Sequence, residues 1–125
     1  MIRSAALALA LISTPAAASV PQMVHDRATA VLGARWAPVA VALARKESSF
    51  RCNAVGPPTR HGRARGVFQV MPGSARALGY DYAKLFNCGY GIEAGLAHMK
   101  LCIAYGVKTD RQMFSCHLRG VAGWR

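Results

Sequence analysis

Acidic residues are scarce in this chain of 125 residues, which has two glutamates and three aspartates against sixteen lysines and arginines. This scarcity leaves few groups for any reaction that depends on a carboxylate. The formal net charge of +11 favours an anionic partner: nucleic acid, phospholipid headgroups, or a bacterial wall with its peptide carboxylates and phosphates. Charge by itself does not choose among these partners.

The chain also lacks the short motifs of several common enzyme classes. It has no phosphate-binding loop, no H-E-x-x-H and no dinucleotide fingerprint, so no cofactor is implied. C-x-x-C pairs are absent too, although the chain has four cysteines, Cys52, Cys88, Cys102 and Cys116. An even number in a small exported chain favours disulfides. We favour the pairs Cys102–Cys116 and Cys52–Cys88, because the last two predicted helices should lie side by side. The alternative is a zinc site built from Cys102, Cys116, His98 and His117.

Long apolar runs are missing except near the start. Residues 1–18 have a basic residue, Arg3, then an apolar run too short to span a bilayer, then small residues at Ala16 and Ala18. This pattern predicts a signal peptide that is cleaved near Ala18, with a buried N-terminal helix as the alternative. We therefore expect residues 19–125 to form one domain without a membrane span, in the periplasm or secreted. Export argues against nucleic acid as the partner.

The remaining pattern predicts a mainly α fold with at most a short strand or extended segment near residues 66–71. Pro38 fits the first turn of the second helix, Asn87 and Asp110 are predicted N-caps, and Asp81 fits a turn or cap. The glycine, proline and arginine content of residues 53–66 predicts an exposed loop. The predicted helices cover residues 21–32, 37–48, 72–79, 87–105 and 110–120.

Glu47 is the one acid without an obvious local role. It follows Val39 and Leu43 at helical spacing and precedes Phe50, so it lies on the apolar face of the second helix. One interpretation is an ion pair with Arg45, Lys46 or an arginine of the loop. The other is a carboxyl in a partly apolar cleft, where desolvation raises the pKa and allows it to act as a general acid.

Two segments resemble a known family. The stretch ALARKESSF, with Glu-Ser-Ser-Phe at residues 47–50, and the stretch RGVFQVMP, with Gly-x-x-Gln-x-x-Pro at residues 66–72, are similar to the SLT-type lytic transglycosylases. The stretch GIEAGLAHMK at residues 91–100 resembles a later N-I-x-A-G-x-x-Y-L helix, with Gly91 in place of Asn. The resemblance implies a helical, lysozyme-like domain. One departure is SCHLRG, where His117 and Leu118 replace the usual Tyr-Asn.

The resemblance implies that Glu47 first protonates the glycosidic oxygen between N-acetylmuramic acid and N-acetylglucosamine. The same group then acts as a base while the muramyl 6-hydroxyl attacks its own anomeric carbon, which leaves a 1,6-anhydromuramyl end and requires no second carboxylate. Ser48 is expected to orient Glu47, and Gly66 to let the backbone approach the glycan. The expected substrate-binding residues are Ser48, Gln69, Phe68, Met71 and His117.

Three alternatives remain open at this point. A hydrolytic, lysozyme-like muramidase differs only in using water as the nucleophile. A degenerate domain could bind peptidoglycan without cleaving it, as an accessory of a secretion or conjugation apparatus. A secreted cationic protein that acts on membranes would need neither Glu47 nor a groove.

Overall fold

The structure is a computed structural model that describes residues 17–125. Helices dominate this part of the chain, as the sequence predicts. No strand forms among these residues, and residues 65–70 make a tight turn closed by a backbone bridge between Arg65 and Val70. The helices are α1 (Val20–Leu32), α2 (Ala37–Ser48), α3 (Pro72–Leu78), a 3-10 helix (Tyr82–Lys84), α4 (Cys88–Ala104) and α5 (Asp110–Arg119).

Short polar side chains cap α1, the 3-10 helix, α4 and α5, because they satisfy backbone N–H groups that have no partner within the helix, whereas α2 and α3 begin with a proline in the first turn and no side-chain cap. Asn87 accepts from the N–H of Tyr90, which confirms it as the N-cap of α4. The prediction for α5 is wrong by one residue. Thr109 is its N-cap and forms a capping box with Gln112, while Asp110 is the first helical residue and pairs with Arg35 at 2.8 Å.

The core lies where α4 packs against α1, α3 and α5, with α2 packed on α1 and α5. Phe68, in the turn after the loop, is fully buried and lies against Gly95 of α4. A Cβ atom on Gly95 would come within 2.2 Å of the Phe68 ring, so only glycine permits this contact. The α4 helix therefore fixes the depth of the turn at residues 65–70. The largest fully buried side chains around it include Leu43, Leu85, Ile92, Leu96, Met99 and Met113.

Two disulfides join these elements. Cys52 pairs with Cys88 and Cys102 pairs with Cys116, which confirms the predicted connectivity. The first pair ties the loop after α2 to the start of α4, and the second ties α4 to α5. The zinc alternative is wrong, because both of its cysteines are consumed by the second disulfide.

No helix in the described part of the chain has the length and apolar character needed to cross a bilayer. The predicted signal peptide falls almost wholly on residues outside that part, as does the alternative of a buried N-terminal helix. The described chain reaches α1 through Ser19, whose hydroxyl accepts from the N–H of Gln22 and caps the helix.

Candidate active site

A groove of about 910 Å³ runs across one face of the domain. Glu47, from the last turn of α2, lines it together with parts of the loop at residues 56–64 and of the segment at residues 69–76. His117 and Leu118, from the last turn of α5, complete the lining. The structure thus brings together four of the residues predicted for the site: Glu47, Gln69, Met71 and His117.

Glu47 is half-buried, and its side-chain carboxyl makes no hydrogen bond or ion pair with any residue from 17 to 125. The nearby basic residues have other contacts. The Arg45 guanidinium lies over the Phe50 ring, and the Lys46 ammonium lies over the Phe114 ring. The ion-pair interpretation is therefore wrong for the described chain. Burial raises the pKa of Glu47, and the positive charge of Lys46 opposes that rise.

The end of α2 is shaped by two residues with unusual backbone angles. Ser49 and Phe50 have φ angles of 50° and 63°, a left-handed conformation that costs energy for residues with a side chain. These angles end α2 at Ser48, one residue after Glu47. The chain then turns toward Cys52, where the disulfide to Cys88 holds it. Strain of this kind persists only where surrounding contacts enforce it.

Ser48 lies beside Glu47 in sequence but not in the groove. Its side chain is buried, and its hydroxyl is 2.7 Å from the carbonyl oxygen of Val67 and 3.1 Å from that of Ala44. Because the single hydroxyl proton faces these two acceptors, Ser48 ties α2 to the turn at residues 65–70. This placement corrects the expectation that Ser48 binds substrate.

Gln69 lines the groove from a left-handed position, with a φ of 53°. Its amide nitrogen donates to the carbonyl oxygens of Ala54 and Gly66, at 3.1 and 3.0 Å. Both amide protons are thereby used within the protein. The amide oxygen has no hydrogen bond to another residue of the described chain, so Gln69 presents an acceptor rather than donors.

The other residues of this turn divide between groove and core. Met71 lines the groove, as expected. Phe68 has no exposed surface, so the expectation that it walls the cleft is wrong. Gly66 is also buried. Only glycine fits there, because its φ is 82° and the backbone oxygen of Leu85 lies 2.5 Å from where a Cβ would be. Gly66 therefore serves packing and not the approach of a ligand.

His117 connects α5 to the same turn. Its Nε2 donates to the carbonyl oxygen of Phe68 at 2.8 Å, because a carbonyl can only accept. Nδ1 is buried and has no partner among the described residues. The His98 ring lies edge-on to His117, with 5.5 Å between ring centroids. Burial lowers the pKa of both rings, to about 4 for His98, where the neighbouring His117 contributes further.

The family model described as "Transglycosylase SLT domain" matches residues 28–110, more than half of the chain. The chain belongs to the SLT transglycosylase family. The matched region includes Glu47 and Gln69 but stops at the first residue of α5, before His117 and Leu118. No curated protein and no solved structure matches the chain significantly.

Sequence reasoning missed four polar residues that line the groove: Thr59, His61, Ser74 and Arg76. The composition of the loop predicts that it is exposed, but it does not predict which of its side chains face the groove. Their placement depends on contacts between segments that are far apart in sequence. Gly62, in the same loop, lies so close to Pro72 that a Cβ there would be 2.8 Å from the proline ring. This contact seats the loop tip against the start of α3.

Proposed function

We propose that this protein is a peptidoglycan lytic transglycosylase that cleaves the β-1,4 bond between N-acetylmuramic acid and N-acetylglucosamine and forms 1,6-anhydromuramyl ends. One observation carries the proposal: Glu47 is a half-buried carboxyl without a partner, in a groove whose lining contains no other acid. Family membership makes peptidoglycan the expected substrate class. The two disulfides fit an exported protein, and we place it in the periplasm or outside the cell.

The raised pKa of Glu47 favours the protonated carboxyl that the first step requires. Glu47 gives its proton to the glycosidic oxygen as the bond between that oxygen and the muramyl anomeric carbon breaks. The resulting carboxylate then takes the proton of the muramyl 6-hydroxyl, whose oxygen bonds to the same anomeric carbon. Glu47 ends protonated and no water is consumed. A single carboxyl is sufficient, whereas hydrolytic glycosidases usually need two.

Two further groove residues have roles in substrate binding. The free amide oxygen of Gln69 accepts a hydrogen bond from an N-acetyl N–H or a sugar hydroxyl. Met71 offers an apolar surface to a sugar ring. His117, held by its bond to the Phe68 carbonyl, borders the same groove as a neutral ring. Glu47 alone changes protonation state during the reaction.

The test is the release of soluble muropeptides from purified sacculi, with the products identified by mass spectrometry. We expect the parent protein to release anhydro-muropeptides and Glu47→Gln to lower the rate by a factor of roughly 10³ or more, since it removes the proton donor. Glu93→Gln is the matched control, because Glu93 pairs with Arg27 and does not line the groove.

The outcomes separate the alternatives. Products heavier than the anhydro-muropeptides by one water would show that the protein is a hydrolytic muramidase and not a lytic transglycosylase. A parent protein that pellets with sacculi but releases nothing would support a binding module. Release that is unchanged in Glu47→Gln would contradict the assignment of the acid.

A further inference from the structure

The groove contains a positive charge, that of Arg76, which no acidic side chain in the lining pairs with. Arg76, on the exposed side of α3, lines the groove. Glu47 is the only acidic residue in the lining, and its pKa is raised toward the neutral form. A guanidinium keeps its charge at any physiological pH. An anionic group of a ligand in the groove would supply the counterion that the lining residues do not.

Most other arginines of the described chain have partners that account for them. Arg51 donates to a backbone carbonyl and Arg60 donates to the His61 ring. Arg65 lies over Tyr82 and Phe86 and donates to the Tyr82 carbonyl. Four guanidinium groups have no hydrogen bond, ion pair or aromatic partner among residues 17–125, and these are Arg63, Arg76, Arg111 and Arg119. Arg76 is the one of the four that lines the main groove, while Arg119 lines a smaller recess beside it.

The acids elsewhere in the molecule cannot neutralise Arg76, because each has a local role. Glu93 pairs with Arg27, Asp110 with Arg35, and Asp26 with its neighbour His25. Asp81 accepts from the backbone of Ala83 and caps the 3-10 helix. The lone charge of Arg76 is thus a property of the groove and not one end of an internal network.

We propose that Arg76 determines specificity by binding a carboxylate of the peptide stem, so that the protein prefers glycan whose muramyl residues carry peptides. The proposal rests on the proposed function: Glu47 and Arg76 line the same groove, and the muramyl residue on which Glu47 would act carries the lactyl group and its attached peptide. A guanidinium binds a carboxylate through two parallel hydrogen bonds, which a flexible lysine does not reproduce. We favour a carboxylate over a wall phosphate because the stem is covalently attached to the sugar on which Glu47 acts.

The experiment compares Arg76→Gln with the parent on two soluble substrates, uncross-linked glycan strands that carry peptides and the same strands stripped of peptides by an amidase. We expect a loss of roughly tenfold or more in kcat/KM on peptide-bearing glycan, as for a charge-assisted hydrogen bond, and no loss on stripped glycan. Arg111→Gln is the matched control, with an unpartnered arginine away from the groove, and should match the parent on both substrates. Arg76→Lys should recover only part of the preference.

An equal loss on both substrates, or no loss on either, would overturn the proposal. Binding in a Glu47→Gln background provides a readout that is independent of catalysis. There, adding Arg76→Gln should weaken binding to peptide-bearing glycan strands and leave binding to stripped strands unaffected, both measured by titration calorimetry. This arm tests Arg76 even if the parent proves not to be a transglycosylase. If removal of wall phosphates, rather than of peptides, abolishes the difference, the carboxylate assignment is wrong.

Discussion

The two sides of the groove are built in different ways. The acid side comprises Glu47 at the end of α2 and the turn at residues 65–70. It is held by buried backbone contacts, among them the bond from Ser48 to the Val67 carbonyl. The α5 side comprises His117 and Leu118. It is held by the Cys102–Cys116 disulfide and the bond from His117 to the Phe68 carbonyl, and Leu118 is 70% exposed.

The acid side lies within the family match, whereas the α5 side carries His117 and Leu118, which differ from the Tyr-Asn expected from the sequence resemblance. The matched region covers the former and ends before the latter. Moving the acid side would disturb Phe68, Gly66 and the core beneath them, so its geometry is fixed by packing. Few buried contacts of Leu118 would be lost by a substitution there. Packing therefore fixes the position of the acid, whereas it leaves the Leu118 side chain on the α5 side largely unconstrained.

The largest effect should come from Gly66→Ala, which disrupts the acid side. Alanine would adopt an unfavourable positive φ and place its Cβ about 2.5 Å from the Leu85 oxygen. We expect the free energy of unfolding to fall by roughly 3 kcal/mol or more. Gly79→Ala is the control, with a nearly equal φ of 80° and no atom within 4 Å of the added Cβ. Urea unfolding that gives equal losses for both variants would contradict the packing role of Gly66.

A drop in pH should weaken the packing of α4 against α5, where the His98 ring of α4 lies edge-on to His117 of α5. The pKa of His98 is about 4 in the folded protein and 6.5 as the ordinary value, so between these values the unfolded chain binds more protons. The free energy of unfolding should therefore rise with pH up to about 6.5 and then level, by up to ~3 kcal/mol from this residue. His117 acts in the same direction. Urea unfolding from pH 4 to 8 measures the slope, which His98→Gln should reduce. An unchanged slope in His98→Gln would contradict the assignment of this pH dependence to His98.

The acid side should respond to pH with the opposite sign. Burial raises the pKa of Glu47, so the folded protein binds more protons than the unfolded chain above pH 4.5. This stabilising contribution is present at low pH and is lost as pH rises through the folded pKa. We expect Glu47→Gln to unfold at a higher temperature than the parent at pH 7 and to lose that advantage below pH 4.5. A lower melting temperature at pH 7 would count against a desolvated Glu47.

A smaller effect should separate two serines, one on each side. Ser48→Ala removes a buried hydroxyl and leaves the Val67 carbonyl oxygen without its hydrogen-bond donor. We expect the free energy of unfolding to fall by about 1–3 kcal/mol. Ser115→Ala removes a part-buried bond from α5 to the Trp124 carbonyl and should cost about 0.5–1.5 kcal/mol. Chemical denaturation of both variants gives the comparison. A larger loss at Ser115 would reverse our ranking of the two sides.

The smallest stability effect should be that of Leu118→Asn, which restores the amide usual in the family. The side chain is exposed, so we expect the free energy of unfolding to stay within about 0.5 kcal/mol. A new hydrogen bond to the glycan should raise kcat/KM by roughly 3- to 10-fold. Tyr105→Asn, at an exposed position outside the groove, is the control. A loss of activity in Leu118→Asn would show that the leucine side chain itself contributes to substrate binding.

Much of the fold could be predicted because its signals are local. The caps at Asn87 and Asp81, and the glycines after α1, α3 and α5, mark helix ends through nearest-neighbour geometry. The error at Asp110 is of the same kind, since Thr109 and Asp110 are both good capping residues and only the hydrogen bonds distinguish them. The disulfide pairing followed from placing α4 beside α5.

The candidate site was less predictable. Phe68 and Ser48 adjoin residues that line the groove, yet both are buried, because consecutive residues of an irregular turn point in directions that no period describes. Gln69 was expected to donate, but its protons satisfy carbonyls brought near by the loop. Arg76 gave no signal among so many arginines until its lack of a partner could be seen.

The sequence by itself determined the helices, the identity of the single available acid and the family, because these depend on residue type and on spacing along the chain. The tertiary structure alone decided which side chains of the turn and loop face the groove, how far Glu47 is removed from solvent, and which of the arginines without a partner lines the groove. Those properties depend on contacts between segments distant in sequence, chiefly Gly95 against Phe68 and Gly62 against Pro72. No local pattern encodes such contacts.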